Sequence, residues 1–174
     1  MEKKDLIMDV IRTRRSIRRF TDQMVDDNTI EKIIEMGTWA PSGLNNQPWK
    51  FMILKDKELK DKVAEQTRYS SIIRNAPVCI AVFLDNSQSY NRVKDIQAIG
   101  ACIQNMLLTI HAFGLGGVWL GEILNKREKV EKILNVSSDL ELMAVIALGY
   151  PAEDGGKGSR RALDEVILSG MLGR

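Results

Sequence analysis

Histidine occurs once in this 174-residue chain and cysteine only twice, at Cys79 and Cys102. Three such residues are too few for a Cys/His zinc site. Both cysteines sit in apolar stretches, where buried free thiols of a reducing compartment are the expected form. Ten aromatic side chains (three Trp, three Tyr, four Phe) make a poor stacking platform for nucleic acid. Twenty-five basic residues against 23 acidic ones leave a net charge of +2, so no global field draws the molecule to DNA or to a lipid surface. The first residues, MEKKDLIMDVIRTRR, contain no apolar core of a secretory signal. The longest apolar segment, Ile96–Phe113, is interrupted by Gln97, Gln104, Asn105 and His111 and does not span a bilayer. A cytoplasmic protein with neither a membrane nor a nucleic-acid partner is expected.

Motifs for unaided chemistry are also missing. There is no G-x-S-x-G, no HExxH, no phosphate-binding Walker loop and no GxGxxG opening a helix after a strand. His111, near the end of an apolar helix, reads as structural. If the chain is an enzyme, a bound cofactor has to supply the difficult step.

What is present is the profile of one globular domain over residues 1–174, with 44% apolar and 28% charged residues. Leu6, Ile7, Val10 and Ile11 recur at helical spacing up to an arginine run. A second helix is expected over Asp27–Trp39, capped by Asp26 or Asp27 and stopped by Pro41. Pro41–Pro48 is dense in turn formers and reads as a loop. Trp49–Leu54 follows as a strand and Lys57–Glu65 as a short helix. Pro77–Leu84 and Leu142–Tyr150 are apolar runs of strand length, suited to burial on both faces. Ile96–Phe113 is a buried helix, Gly114–Gly121 a glycine-rich strand or turn, and Asn125–Leu134 an amphipathic helix. Gly149–Arg161 is a polar loop, and the apolar residues of 162–174 are expected to pack. Alternating helices and strands predict a sheet with helices on both faces.

The densest feature is RTRRSIRRF, with Arg12, Arg14, Arg15, Arg18 and Arg19 inside nine residues. A nucleic-acid patch, a localisation tag and a pocket for a small phosphorylated ligand would each use it. A helix end favours cations in any case. An irregular segment can also wrap guanidiniums and the Ser16 hydroxyl around one anion, because each arginine fork donates paired hydrogen bonds. The loop PSGLNNQPW adds the amides of Asn45, Asn46 and Gln47, with Gly43 permitting close approach.

RRSIRRF (Arg14–Phe20), APSGLNNQPWKF (Ala40–Phe51), QAIGACIQNMLLTIHAFGLGGVWLGEI (Gln97–Ile123) and ALGYPAE (Ala147–Glu153), with Lys157, Arg160 and Arg161, resemble in order the nitroreductase family of FMN-dependent oxidoreductases. The resemblance runs from about residue 10 to about residue 165. It implies an α+β fold, three layers α-β-α with a central mixed sheet flanked by helices, assembled as an obligate intertwined homodimer. Arg14, Arg15, Ser16 and Arg18 would hold the FMN phosphate and ribityl chain and reach the pyrimidine edge of the flavin. Arg160, aided by Lys157 or Arg161, would complete the phosphate site. Pro41, Ser42, Gly43 and Asn45, with Gln47, would approach the flavin from the second subunit. Val118, Leu120 and Gly121 would lie against the ring, and Ile96–Phe113 would form the central dimer contact.

The implied activity passes electron pairs from NADH or NADPH to nitroaromatics, quinones or similar small electron-poor acceptors in a ping-pong sequence. Protons come from solvent or flavin, and no side chain is assigned as catalytic. Arg68, Arg74 and Lys94 are possible partners for a 2′-phosphate and are otherwise simple surface charges. A specialised family member, such as a dehydrogenase or dehalogenase, or a flavin-storing protein, is the alternative. Three features depart from the family pattern, one being a chain short for the family, without the insertion that covers the substrate in longer members. Gly43 stands where many members carry a small hydroxyl or methyl side chain, and Gly155–Gly158 would tether the C-terminal basic group loosely.

Overall fold

A computed structural model describes residues 2–168 of the chain. In chain order these form α1 (Lys3–Thr13), α2 (Asp27–Thr38), β1 (Trp49–Leu54), α3 (Lys57–Ala64), α4 (Ser70–Asn75), β2 (Val78–Asp85), α5 (Arg92–Ala112), β3 (Gly116–Leu120), α6 (Arg127–Leu134), β4 (Leu140–Gly149) and α7 (Leu163–Val166). Tight 3-10 turns at Gly43–Asn45 and Glu122–Lys126 precede β1 and α6.

The strands form one sheet in the order β1-β2-β4-β3. The expected mixed sheet is antiparallel at every strand pair, and parallel character is confined to a bridge between Ser16 and Gly117 at the β3 edge. β2 is buried along its whole length, so both faces of the alternation are apolar. Val78, Ile80, Val82 and Leu84 point into a core with α2 and α5, and Cys79, Ala81 and Phe83 into a second core with α3, α4 and α6. The expected helix–sheet–helix layering is thereby present. β4 contains a one-residue irregularity opposite Val82/Phe83, which sends Leu142 and Ala144 to opposite cores.

Helix ends follow local chemistry. The Asp26 carboxylate caps α2 by accepting from Thr29 N–H (2.9 Å), and Asp56 caps α3 through Leu59 N–H (2.8 Å). α6 stops at Asn135, whose φ of 50° is the left-handed conformation asparagine tolerates at a helix end. α4 escapes sequence detection because it is six residues long, yet it buries Ile72 and Ile73. α5 starts four residues before Ile96 and is not apolar all round. Ala98, Ile99, Cys102, Ile103, Met106, Leu107 and Ile110 are buried, whereas Val93, Gln97 and Gln104 are exposed on the other side. Among the described residues no helix is long and apolar enough to cross a membrane.

Cys79 and Cys102 are both buried and free, and loss of hydration pushes each thiol up to about 12. The C-terminal expectation is not met within one chain: Leu163 and Leu168 are exposed, and residues 169–174 lie outside the described part.

The sheet edge prepares the site. After α1 the chain runs beside β3, with Ile17 N–H donating to Gly117 O (3.1 Å), and then beside the end of β4, with Thr21 N–H donating to Tyr150 O (2.9 Å). Gly116 makes this approach possible: a Cβ there would stand 2.7 Å from Ile17 Cβ and Cγ2, atoms that no rotamer change removes together. Gly116→Val is accordingly expected to pry the 14–19 segment from the edge and cost about 1–3 kcal/mol, read as a lower urea midpoint at unchanged m-value.

Candidate functional site

Two polar assemblies stand at opposite ends of α5. At its C-terminal end, Thr13 donates its hydroxyl proton to Asp9 O (2.7 Å), so the contact between Thr13 Oγ1 and His111 Nε2 (2.7 Å) requires histidine to donate. His111 is therefore a strut that ties α1 to α5, in keeping with the structural role read from the sequence.

Beyond this strut lies a cleft of about 240 Å³ lined by Thr13, Arg14, Arg15, Gly117, Glu153 and Gly155, among others. Arg14 is half-buried in it and, among the described residues, has no carboxylate within ion-pair distance and no side-chain hydrogen bond. Its pKa is lowered first by burial, then by the positive charges of Arg160 and Arg15. Arg14 and Arg15 thus line one cleft within electrostatic reach of Arg160, and among the described residues Arg14 has no neutralising partner. Such a cluster is stabilised by an external anion.

The other basic residues are used differently. Arg15 donates to the carbonyls of Arg12 (2.6 Å), Arg14 (2.9 Å) and Gly156 (3.2 Å), which shapes the segment and pins the C-terminal loop. A Cβ on Gly155 would fall 2.1 Å from Arg15 Cβ, so this glycine lets the loop close over the arginine. The Gly155–Gly158 stretch is fastened to Arg15 at its start and exposed from Gly156 onward. Arg18 is exposed and reaches back to Ser16 O (3.1 Å), leaving the rest of its fork free of protein partners among the described residues. Glu153 accepts from Arg18 N–H (2.8 Å) and Arg19 Nε (2.7 Å), and these contacts hold its carboxyl below the usual range. Lys157, Arg160 and Arg161 are all exposed, and of the three only Arg160 bears on the charge of Arg14.

β3 offers backbone rather than side chains. Val118 and Leu120 point into the α3–α4–α6 core, while Gly121 is exposed. Trp119, missed from the sequence, is partly exposed on the opposite side, its Nε1 3.8 Å from the place a Cβ on Gly121 would take.

The loop 41–48 belongs to the N-terminal end of α5. Leu44, Asn45 and Gln47 have φ of 54°, 56° and 47°, a left-handed stretch that costs non-glycine residues about 1 kcal/mol or more each. Local bonds oppose that cost. Ser42 Oγ accepts from Gln47 N–H (3.0 Å), and Asn46 Nδ2 donates to Asp95 Oδ1 (2.8 Å) and Gln88 O (3.0 Å). Asp95 is fully buried and also accepts from Ser89 Oγ (2.7 Å), Tyr90 N–H (3.1 Å) and Asn91 N–H (3.1 Å). Burial raises its pKa, but the hydrogen bonds from Ser89, Asn46, Asn91 and Tyr90 outweigh that and leave it below the ordinary value. The available signal was an acidic residue four positions after the helix-capping Asn91.

The two assemblies are far apart in one chain. Asp95 and His111 are separated by sixteen residues of helix, about 24 Å. Of the proposed 2′-phosphate partners, Arg74 faces Asp61 (3.4 Å) and Arg68 faces Glu122 (3.9 Å), while Lys94 lies over the Tyr90 ring at 5.4 Å.

The sequence pattern of the nitroreductase family matches residues 11–68 and 63–150, and the chain belongs to that family. A crystal structure from Desulfovibrio desulfuricans, described provisionally as a nitroreductase in complex with FMN, is 48% identical with a TM-score of 0.92, covering 96% of this chain and 98% of that one. A protein of Methanothermobacter thermautotrophicus, provisionally named NADH dehydrogenase/NAD(P)H nitroreductase, is 33% identical over 86% of this chain and 80% of its own length. The iodotyrosine deiodinase of Thermotoga neapolitana is 26% identical over 94% of this chain and 96% of its own.

Asp95→Ala would strand an amide, a hydroxyl and two backbone N–H groups, and is expected to destabilise the chain by about 2–4 kcal/mol. Because the folded pKa is depressed, the carboxylate's contribution is full above its unfolded value of about 3.9 and fades as pH falls through the folded one. Chemical denaturation between pH 7 and pH 2.5 should show a steeper acid loss in the native chain than in Asp95→Asn.

Proposed function

We propose that this chain is an FMN-dependent, NAD(P)H-oxidising reductase of small electron-poor acceptors, with its cofactor held at the interface of a homodimer. The observation that carries the reading is Arg14, half-buried beside Arg15 and Arg160 without an anion of its own. A flavin phosphate neutralises that cluster. Once bound, FMN supplies reversible hydride chemistry, taking an electron pair from the nicotinamide donor and delivering it to a nitroaromatic, quinone or related acceptor in turn.

The protein's part is binding, orientation and electrostatics. Arg14 and Arg160 hold the phosphate, with the Ser16 hydroxyl beside them and Arg15 fixing the backbone that presents them. Arg18, with most of its fork unengaged among the described residues, would bring positive charge to the pyrimidine edge of bound FMN. The backbone at Leu120 and Gly121 would lie along the ring, where the glycine would leave it room. No side chain is needed to move a proton.

The second half of the site comes from another copy of the chain. The loop carrying Pro41, Ser42, Gly43, Asn45 and Gln47 is tied to Asp95 and the arginine segment to His111, residues that stand about 24 Å apart along α5, so the two halves are read as serving one cofactor from different subunits. Ser42 already accepts one hydrogen bond, from Gln47 N–H, which leaves its own proton to donate. Exposed apolar residues support a partner surface: Leu6, Ile7 and Ile11 on α1, Val93 and Phe113 at the ends of α5, and Leu163 in the C-terminal segment. One such FMN-binding domain spans the chain.

A dehalogenating specialist is the second reading, favoured by the likeness to the Thermotoga neapolitana deiodinase. The deciding measurement is the visible spectrum of the purified protein during anaerobic NADH and NADPH additions. A yellow protein that bleaches with nucleotide and is reoxidised by a quinone or nitroaromatic supports the reductase, whereas reoxidation by iodotyrosine with iodide release supports the specialist. A colourless protein that takes up no added FMN overturns both. Arg14→Ala is expected to weaken FMN retention by about tenfold to a hundredfold, the value of one or two charge-assisted hydrogen bonds.

A further inference from the structure

Gly43 has no side chain, yet the space beside it is filled. A Cβ placed on Gly43 would stand 1.9 Å from the hydroxyl oxygen of Tyr90, 2.6 Å from Cζ and 2.7 Å from Cε1. The phenol of residue 90 therefore occupies the position that a small side chain at residue 43 would take. Its hydroxyl has no hydrogen-bond partner among the described residues, and the ring is partly exposed. The Lys94 ammonium lies over that ring, 5.4 Å from the centroid.

The placement is firmly held. Tyr90 N–H donates to Asp95 Oδ2, and the same buried carboxylate receives Asn46 Nδ2 from the loop. One anion thus fixes the tyrosine and the loop relative to each other. The backbone that carries the phenol is thus fixed against the loop, and the unspent hydroxyl donor beside Gly43 is available to a ligand.

We propose that Tyr90 is a cofactor-binding residue of the 41–47 loop, its phenolic O–H donating to an acceptor atom of the flavin ring in place of a side chain at position 43. The inference rests on the reading that this loop faces a bound flavin. It extends that reading to a residue far from the loop in sequence. It also accounts for Gly43, since any larger residue there would displace the phenol.

The test uses the holoprotein and four variants. Tyr90→Phe removes one oxygen and keeps the ring. FMN dissociation is followed by the recovery of free-flavin fluorescence on dilution, and the midpoint potential of the bound flavin by anaerobic titration. The expected result is an FMN Kd about five- to tenfold weaker, with a displaced potential and an unchanged Tm. Tyr90→Ala should bind more weakly still, and adding Gly43→Ser to Tyr90→Ala should recover part of the loss by restoring a hydroxyl to the vacated space. If Tyr90→Phe leaves both Kd and potential at native values while Arg14→Ala sheds FMN, the role of Tyr90 is overturned and the flavin site stands. If the native protein binds no FMN, the site and the inference fall together.

Discussion

The packing of α5 against the buried face of β2 and β4 is the constraint on which the rest of the molecule depends. Ala98, Ile99, Cys102, Ile103, Met106 and Ile110 of the helix join Ile80, Val82, Ala144 and Ile146 of the sheet in one continuous core. Burying several branched side chains at about 1.5–3 kcal/mol each makes the helix a rigid rod. Each end of the rod is then fastened by a polar contact, Asp95 to Asn46 and His111 to Thr13. The spacing of the two functional clusters is thus set by a length of helix rather than by loop conformation.

The two ends solve different electrostatic problems. At the N-terminal end a carboxylate is buried and fully satisfied, so it contributes order while presenting almost no charge to solvent. At the C-terminal end Arg14 has neighbours of its own sign and, among the described residues, no partner for its side chain. The first arrangement holds backbone in an unfavourable conformation, with Leu44, Asn45 and Gln47 in the left-handed region. The second stores an affinity for anions. A functional site needs both: strain fixed by surplus hydrogen bonds, and charge left over for the ligand.

Much of this was legible in the residues. Trp49–Leu54 and the two strands buried on both faces announced themselves as apolar runs of the right length, and Asp26 marked the start of α2. The arginine segment was readable because five guanidiniums in nine residues exceed what a helix end needs. The antiparallel pairing was not, since apolar runs carry no direction. Nor was the fate of Arg15, whose donors go to three carbonyls, one of them on a loop 141 residues away in sequence. Tyr90 was invisible for the same reason: its meaning lies in a contact with Gly43, and no local pattern encodes a contact across 47 positions. Asp95 had a faint local signature near a helix start, but its four partners come from two loops.

Separation of the clusters has a genetic consequence. In the homodimer proposed above, each of the two sites would draw its arginines from one subunit and its loop from the other. A subunit damaged at Arg14 and a subunit damaged in the loop would each be inactive when paired with its own kind. Paired with each other, they concentrate both lesions in one site and leave the other site wholly native. Co-expressed, two dead alleles of this gene would complement, restoring active sites in the mixed dimers alone.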